Sequence, residues 1–432
     1  MIDASRLPHR APLVLASLGC FGLIALSWSL RHFILDDAYV TFRYARNFVE
    51  HGTLAWNVGQ DPVEGFTSFL WVQVSALGHL LSLPPAFMAR TVSLIALAVM
   101  VAWFAVNSRR LPWLEQIILV SAVGLNAILV LHASQGMETA TASAVVFAVA
   151  LAGHGILTAQ RISPQHWAGL YTAMIVAALL RPETVIFSAV VGVVTLVQVV
   201  RVNRRAALGG IVVALPFLVA GLAYMMWRYQ YFGFLLPNTA YIKSGGGVSL
   251  GGITNVRDFL VWMVAPYALY VICRHAKALR LEALRPVLPV LAGILVMLVY
   301  FTTVSGIQGY LFRFPIVIYP AILLILWAVF QAGRRETPDS PGRMPWVATT
   351  LLLAVMVAWP VSLYRDVGVA IDGRSQVDRV LAGRALAHLD GTLVTSEAGA
   401  LPYYSGWESY DLLGLTSEDV VHDGLTIDLM DR

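Results

Sequence analysis

The sequence is poor in charge and in cysteine, and it lacks the short motifs that mark many soluble enzymes. Charged residues make up 12% of the 432, about half of the roughly 25% that is typical of soluble domains. Its two cysteines, Cys20 and Cys273, both fall in apolar runs, which excludes a disulfide framework and a thiolate metal site. It contains no Walker loop, HExxH helix, GxSxG turn or Cys-His metal motif. The low charge argues against a soluble domain, and the missing motifs leave the enzyme classes that they mark without support.

The chain is instead rich in apolar residues. Hydrophobic residues account for 58% of the chain, and the mean hydropathy is +0.72. The apolar residues fall in about twelve runs, many of them close to the roughly 20 residues that span a bilayer as helix. These runs lie roughly at 13–30, 66–83, 87–107, 113–132, 138–158, 167–180, 183–200, 208–227, 256–272, 287–304, 313–331 and 346–363. The pattern predicts an all-α polytopic membrane protein, with the first run retained as a span because it lacks a cleavage site near its end.

Basic residues orient the predicted spans, because Lys and Arg accumulate in short cytoplasmic loops. Arg201–Arg205, Arg274–Arg285 and Gly333–Arg343 are the strongest cytoplasmic candidates, and residues 364–432 then lie outside. An inside start and an outside end require an odd number of crossings, so we expect about eleven transmembrane helices. The formal net charge of +4 is spread over many loops, which indicates topology and no nucleic-acid partner. The remaining segments predicted outside are Arg31–Gly65, Ser134–Thr139, Arg181–Glu183, Tyr229–Asp258 and Ser305–Arg313.

Two segments are too polar to lie in lipid. Arg31–Gly65 mixes aromatic and charged residues, which is typical of helices at the membrane interface. Residues 364–432 alternate between apolar and polar near Gly391–Ser405 and carry turn residues, which predicts a small α/β segment. The chain therefore divides into a transmembrane module at 1–363, with an outer-face loop at 31–65, and an extracytoplasmic segment at 364–432.

Two adjacent carboxylates, Asp36 and Asp37, follow the first span. Because like charges repel, one pKa of such a pair rises unless a cation intervenes. One aspartate is then a candidate general base, or both bind a metal ion. The structural alternative is an aspartate that caps the helix, with an acidic neighbour.

Other charged residues stand at the ends of apolar runs on the same predicted side. A charged residue at bilayer depth costs about 2.5–3.5 kcal/mol, so each of them needs a partner or a function. The acidic ones could cap helices, the Arg181–Glu183 stretch could form a structural ion pair, and the late basic residues could snorkel to the interface. Arginine is also suited to bidentate phosphate binding. These residues are Glu64, Glu138, Arg181, Lys243 and Arg313.

Several other polar residues are predicted to be structural. His132, His154 and His166 are isolated in the sequence. The tail motifs Ser396–Tyr404 and Asp411–Leu415 are predicted to be chiefly structural, with contact to the acceptor as the alternative. No internal repeat is visible.

The order of the motifs resembles the GT-C superfamily of polyprenyl-phosphate-sugar-dependent glycosyltransferases. The tail stretch Gly399–Leu415 is similar to a bacterial sub-group that includes the mycobacterial terminal arabinofuranosyltransferase, although relatives of that type usually carry a larger outer domain. The superfamily resemblance covers most of the chain and rests on Leu35–Asn47, Glu64–Trp71, Gly136–Ala140, Arg181–Glu183, Leu235–Lys243 and Tyr310–Phe314.

The resemblance implies a GT-C-like fold and an inverting sugar transfer at the outer face of the bacterial inner membrane. By position, Asp37 resembles the catalytic aspartate of the superfamily, with Asp36 beside it, and Glu138 resembles an acidic residue that approaches it. The donor would be a polyprenyl-phosphate sugar, and the acceptor a glycan, lipid or protein of the cell envelope among membrane lipids. Basic residues expected at the donor phosphate are Arg43, Arg181, Lys243 and Arg313.

Hard oxygen ligands would favour Mg²⁺ or Mn²⁺ if a metal takes part, and the candidate ligands are Asp37, Glu64 and Glu138. Two other functions stay open at this point. One is a non-enzymatic membrane component, since some similar proteins are described as flagellar-motor control factors. The other is a transporter, which the absence of repeats and of charges in mid-span disfavours.

Overall fold

The chain forms a bundle of helices with a small α/β segment at its carboxyl end. The computed structural model describes residues 11–31, 33–243, 247–276, 279–304, 310–336 and 373–417. Its helices up to residue 243 are α1 Ala11–Ser29, α2 Asp36–His51, α3 Phe69–Leu80, α4 Pro85–Asn107, α5 Trp113–Gly124, α6 Ala127–Ser134, α7 Thr139–Thr158, α8 Pro164–Leu180, α9 Thr184–Val202, α10 Arg204–Phe232 and α11 Asn238–Lys243. Those beyond are α12 Leu250–Phe259, α13 Ala265–His275, α14 Leu281–Leu284, α15 Leu288–Phe301, α16 Tyr319–Glu336, α17 Gly373–Leu386 and α18 Ala400–Ser405.

Eight helical segments within the described ranges are long and apolar enough to cross a membrane. Two more apolar helices are short, Phe69–Leu80 and Arg285–Phe301. The predicted span at 346–363 lies outside the described residues, so the expectation of about eleven crossings stays a prediction. The eight segments are Pro12–Ser29, Pro85–Asn107, Trp113–Ser134, Thr139–Thr158, Thr184–Val202, Arg204–Phe232, Leu250–His275 and Tyr310–Arg335.

The bundle is held together by apolar packing with small residues at the close crossings. Helix α9 packs along α15, and α7 packs along α8. At the crossing of α1 and α5, a Cβ atom on Gly124 would lie 2.8 Å from the Cα atom of Gly19. Glycine permits this approach because it carries no side chain, as at many helix crossings in membranes.

The two ends of the bundle differ in their polar contacts. At one end, His275 pairs with Glu115, with 2.8 Å between Nε2 and Oε1, and Gly333 packs directly against the imidazole. The other end holds the start of α2, the end of α10 and the carboxyl-terminal segment. Every candidate site residue whose side-chain contacts are described lies at this second end.

The carboxyl-terminal segment consists of α17, strand β1 Thr392–Thr395, α18 and strand β2 Glu408–Asp411. The two strands pair in parallel, with Thr392 opposite Glu408. The small α/β element expected in the tail is therefore present among the described residues. Its helix α18 packs against α2, which brings the tail to the two aspartates.

Candidate active site

The first turn of α2 presents Asp36 and Asp37 at the surface of the bundle. The backbone N–H of Leu35, just before this turn, donates to the carbonyl of Gln135 at 3.0 Å. This bond ties the start of α2 to the end of α6. The Asp37 side chain is 50% exposed and the Asp36 side chain only 15%, so the two neighbours face different surroundings.

Asp37 forms an ion pair with Arg313. Nη1 of the arginine lies 3.1 Å from Oδ2 of the aspartate, and the arginine side chain is only 7% exposed. The turn before Arg313 is strained, because Leu311 and Phe312 have φ angles of 48° and 58°. Non-glycine residues rarely adopt this left-handed region, and such residues cluster at functional sites.

Arg181 extends the site beyond Arg313. Its Nη1 donates to the carbonyl oxygen of Arg313 at 3.2 Å and lies 3.8 Å from Oε1 of Glu138. A shorter contact of 2.6 Å joins Arg181 to Glu183. The structure thus brings together Asp37, Glu138, Arg181 and Arg313, which the sequence places more than 270 residues apart at the extremes. The result is a half-exposed carboxylate backed by two buried arginines.

Asp36 makes a different set of contacts from Asp37. Its Oδ1 accepts a hydrogen bond of 3.0 Å from the backbone N–H of Ala400 and lies 3.7 Å from Nη1 of Arg379. A side chain on Gly399 would collide with the Asp36 carboxylate. Asp36 was predicted as a second catalytic residue, but the structure uses it to dock the carboxyl-terminal segment onto α2.

Asp36 should also make stability depend on pH. Burial raises the pKa of Asp36 above the ordinary 3.8, although the Ala400 N–H and Arg379 oppose the shift. The folded chain therefore binds this proton more tightly, and the resulting stability is fully present below pH 3.8 and is lost as the pH rises through the raised pKa. An Asp36→Asn chain keeps the acceptor oxygen for Ala400 without the buried charge. We expect its melting temperature, relative to the unsubstituted chain, to increase with pH, and a difference that falls with pH would contradict this.

Arg43 clamps the carboxyl-terminal segment and does not face the other candidate phosphate ligands. Its guanidinium donates to the carbonyl oxygens of Pro402 at 2.7 Å and Trp407 at 2.8 Å, and to that of Trp56 at 3.0 Å. Nη2 also donates to Oδ1 of Asn57 at 3.1 Å. Arg43 was predicted to bind the donor phosphate; instead, its donors satisfy backbone carbonyls, because the tail folds back over α2.

Removing this clamp should release the tail. A hydrogen bond from a charged group contributes about 1.5–3 kcal/mol. We expect Arg43→Met to weaken docking of the tail by about 2 kcal/mol, so that the undocked state is populated roughly 30-fold more. Because protease cleaves the undocked state, residues 373–417 should be cut roughly 30-fold faster. Arg257→Met is the matched control, because the Arg257 side chain is 64% exposed. Equal cleavage of both variants would refute the clamp.

Glu64 forms a buried ion pair with Arg228 at the end of α10. Nε of the arginine lies 2.8 Å and 2.7 Å from the two carboxylate oxygens, and Nη2 lies 2.6 Å from Oε2. Burial raises the pKa of Glu64, while Arg228 opposes that shift. The carbonyl oxygen of Glu64 also accepts from the N–H of Asn238. Glu64 thus joins the loop before α3 to the helices α10 and α11.

The predicted metal ligand set is not assembled. Glu64 faces Arg228, Asp37 faces Arg313, and the nearest cation to Glu138 is Arg181. Within the described parts of the chain, no group of three His, Cys, Asp or Glu side chains is placed to share one ion. The residues do not fit a divalent cation held by Asp37, Glu64 and Glu138 together, because arginine charges already neutralise each carboxylate. Lys243 ends α11, and its side chain lies outside the described residues.

Sequence reasoning missed several partners. Tyr310 lies with its ring 5.6 Å from the Arg313 guanidinium. Within the described ranges, neither its buried hydroxyl nor Nε of Arg313 has a hydrogen-bond partner. His132 is fully buried against the turn that carries Arg313. A signal existed for Arg228, which is a lone arginine at the end of a long apolar helix. For His132 and Tyr310 the sequence offers no comparable signal, because their roles depend on a turn formed far away in the chain.

Two solved structures of ArnT from Cupriavidus metallidurans superimpose on nearly the whole chain. The one bound to undecaprenyl phosphate has a TM-score of 0.63 and 16% identity, over 95% of this chain and 88% of that chain. The one in the apo state has a TM-score of 0.58 and 17% identity, over 94% and 87%. The chain has the fold of ArnT. The predicted fold class of an all-α polytopic membrane protein with a small tail is therefore confirmed.

The family and sequence comparisons say less about the chain than the match to ArnT. Residues 369–431 match a family described as a domain of unknown function (DUF8728). No curated protein matches the chain. These findings give no support to the finer resemblance to the arabinofuranosyltransferase sub-group, which stays a prediction.

Proposed function

We propose that the protein is an inverting glycosyltransferase that moves a sugar from a polyprenyl-phosphate donor to a cell-envelope acceptor. The transfer would occur at the outer face of the inner membrane. The observation that carries the proposal is the contact between a half-exposed carboxylate, Asp37, and a buried arginine, Arg313. It lies in a fold shared with ArnT, a GT-C glycosyltransferase that was solved with undecaprenyl phosphate bound.

Arg313, Arg181 and Tyr310 are the groups we propose for the donor phosphate. Buried polar groups in proteins are nearly always hydrogen-bonded. Nε of Arg313 and the hydroxyl of Tyr310 are buried and have no hydrogen-bond partner in the part of the chain that the structure describes, as expected of groups that donate to a ligand. Phosphate oxygens are strong acceptors, and arginine suits them because its guanidinium is planar and always charged.

Glu138 has a supporting role in this proposal. It lies 3.8 Å from Arg181, and Glu183 lies 2.6 Å from the same arginine. Both carboxylates hold the guanidinium near the carbonyl of Arg313, so that it faces the phosphate with little reorganisation when the donor binds.

Asp37 is the proposed general base. The donor phosphate competes with Asp37 for Arg313, which frees the carboxylate to accept the proton of an acceptor hydroxyl. That oxygen attacks the anomeric carbon from the face opposite the phosphate, the bond from carbon to phosphate oxygen breaks, and the lipid phosphate leaves with the electron pair. Base catalysis of this kind contributes about 10²–10⁴-fold. No step requires a metal ion.

Extracts of the cell envelope test the reaction directly. Glycolipids and glycans from a deletion strain are compared by mass spectrometry with those from the same strain carrying the unsubstituted chain or Asp37→Asn. We expect one envelope species to lack a single sugar in the deletion strain and to be restored only by the unsubstituted chain. Identical extracts from all strains would contradict the proposal and would leave the chain a non-enzymatic membrane component.

A further inference from the structure

We infer that His132 and Gln135 form a positioning relay that sets the distance between Asp37 and Arg313. The inference rests on the proposed function, because it concerns how the two sides of that site are held. Neither side chain would touch the substrate. Both lie at the end of α6, behind the site.

The imidazole of His132 is held in one orientation. It is fully buried, with Nε2 2.9 Å from the carbonyl oxygen of Leu311 and Nδ1 2.8 Å from Nε2 of Gln135. A carbonyl oxygen can only accept, so Nε2 of His132 carries the hydrogen. Nδ1 then accepts from the Gln135 amide, which makes the ring neutral with one defined tautomer.

The bond from His132 restrains the strained turn. Leu311 and Phe312 adopt the left-handed region with φ angles of 48° and 58°, which non-glycine residues keep only where their surroundings enforce it. Among the described side-chain hydrogen bonds, the one from His132 fixes the Leu311 carbonyl inside this turn. Arg313 follows two residues later, so the same bond also fixes the backbone position from which the Arg313 side chain extends.

Gln135 reaches the other side of the site through its backbone. Its carbonyl oxygen accepts from the N–H of Leu35 at 3.0 Å, two residues before Asp37. The end of α6 therefore contacts both sides of the site. The His132 ring holds the turn that carries Arg313, and the main-chain bond of Gln135 holds the turn that carries Asp37. Loss of the ring contact should let the two charges separate, and a displacement of about 1 Å can lower a rate by about 10²-fold.

Three substitutions at His132 and Arg313 separate positioning from simple packing. His132→Phe keeps a ring without the donor, while His132→Gln restores an N–H near the position of Nε2. We expect His132→Phe to lower kcat by about 10–100-fold, and His132→Gln to recover most of that loss. If His132 acts through Arg313, its effect disappears in an Arg313→Gln background, because effects within one network are not additive. His154→Phe is the matched control, since His154 lies against Trp327 in the same bundle.

Amide hydrogen exchange of the Leu311–Phe314 peptide gives a readout that does not need activity. We expect faster exchange there in His132→Phe, with little change in His154→Phe. Unchanged exchange overturns the relay, and so does additivity of His132→Phe with Arg313→Gln in an active protein. If the unsubstituted chain transfers no sugar, the proposed function fails, whereas faster exchange confined to this peptide still supports the restraint on the turn.

Discussion

An Asp37→Asn chain is expected to fold and insert normally and to lose about 10²–10⁴-fold of its transfer rate. Asparagine keeps the shape of the side chain, and its amide oxygen can still accept from Arg313, but it cannot take a proton from the acceptor. The rate of release of polyprenyl phosphate by the purified protein measures the loss.

The control for this substitution is Asp61→Asn. Asp61 is exposed and lies in the loop between α2 and α3, on the same predicted side of the membrane. We expect it to retain the full rate. An Asp37→Asn chain as active as Asp61→Asn would show that the base is another group or that the reaction does not use one.

The second large effect concerns stability and the Glu64–Arg228 pair. Breaking a buried ion pair by removing one partner costs about 3–5 kcal/mol, because the remaining charge is left buried without compensation. We expect Arg228→Leu to lower the melting temperature sharply in detergent. It also removes the 2.7 Å hydrogen bond from Nη1 to the carbonyl oxygen of Leu235.

Replacing both Glu64 and Arg228 tests whether an unpaired buried charge causes the loss of stability. The double variant Glu64→Leu with Arg228→Leu has no buried charge, and apolar replacement of a buried pair is often close to neutral. We expect it to recover much of the lost stability. A double variant as unstable as the sum of the single ones would show that Glu64 has another partner, such as a metal ion, which the ion pair does not explain.

Composition and hydropathy were sufficient to predict the fold class. In lipid, the backbone N–H and C=O groups of a long apolar run must be hydrogen-bonded within the protein, and a helix achieves this within one segment. The helical, polytopic character of the chain therefore follows from its apolar runs, although the number of crossings does not. The tail was also predictable as a separate α/β element, because its polar sequence alternates. The bounds of the short helix Phe69–Leu80 were harder to predict. The apolar run at 66–83 is longer than this helix, because both ends of the run lie in loops.

The sequence indicated which residues belong to the candidate site better than it indicated which of them contact each other. Asp37, Glu138, Arg181 and Arg313 stood out because charge at the ends of apolar runs requires a partner. Nothing local could assign those partners, which lie up to 276 residues away along the chain.

Asp36 illustrates the limit most clearly. It is adjacent to Asp37 and chemically identical to it, and only the arrival of Ala400 from a segment 364 residues away gives it a docking role. Arg43 is the same case, since its acceptors are backbone carbonyls of the tail. Side-chain type cannot reveal a backbone partner of this kind.

Binding of undecaprenyl phosphate to the purified full chain tests the central claim, namely that the arginines beside Asp37 receive a lipid phosphate. We expect saturable binding that undecaprenol, which lacks the phosphate, does not displace. Arg313→Gln should weaken it by at least about tenfold, as expected for loss of a charged hydrogen bond of about 1.5–3 kcal/mol, while the exposed Arg257→Gln should not. Equal affinity in both variants, or equal competition by undecaprenol, would contradict the account.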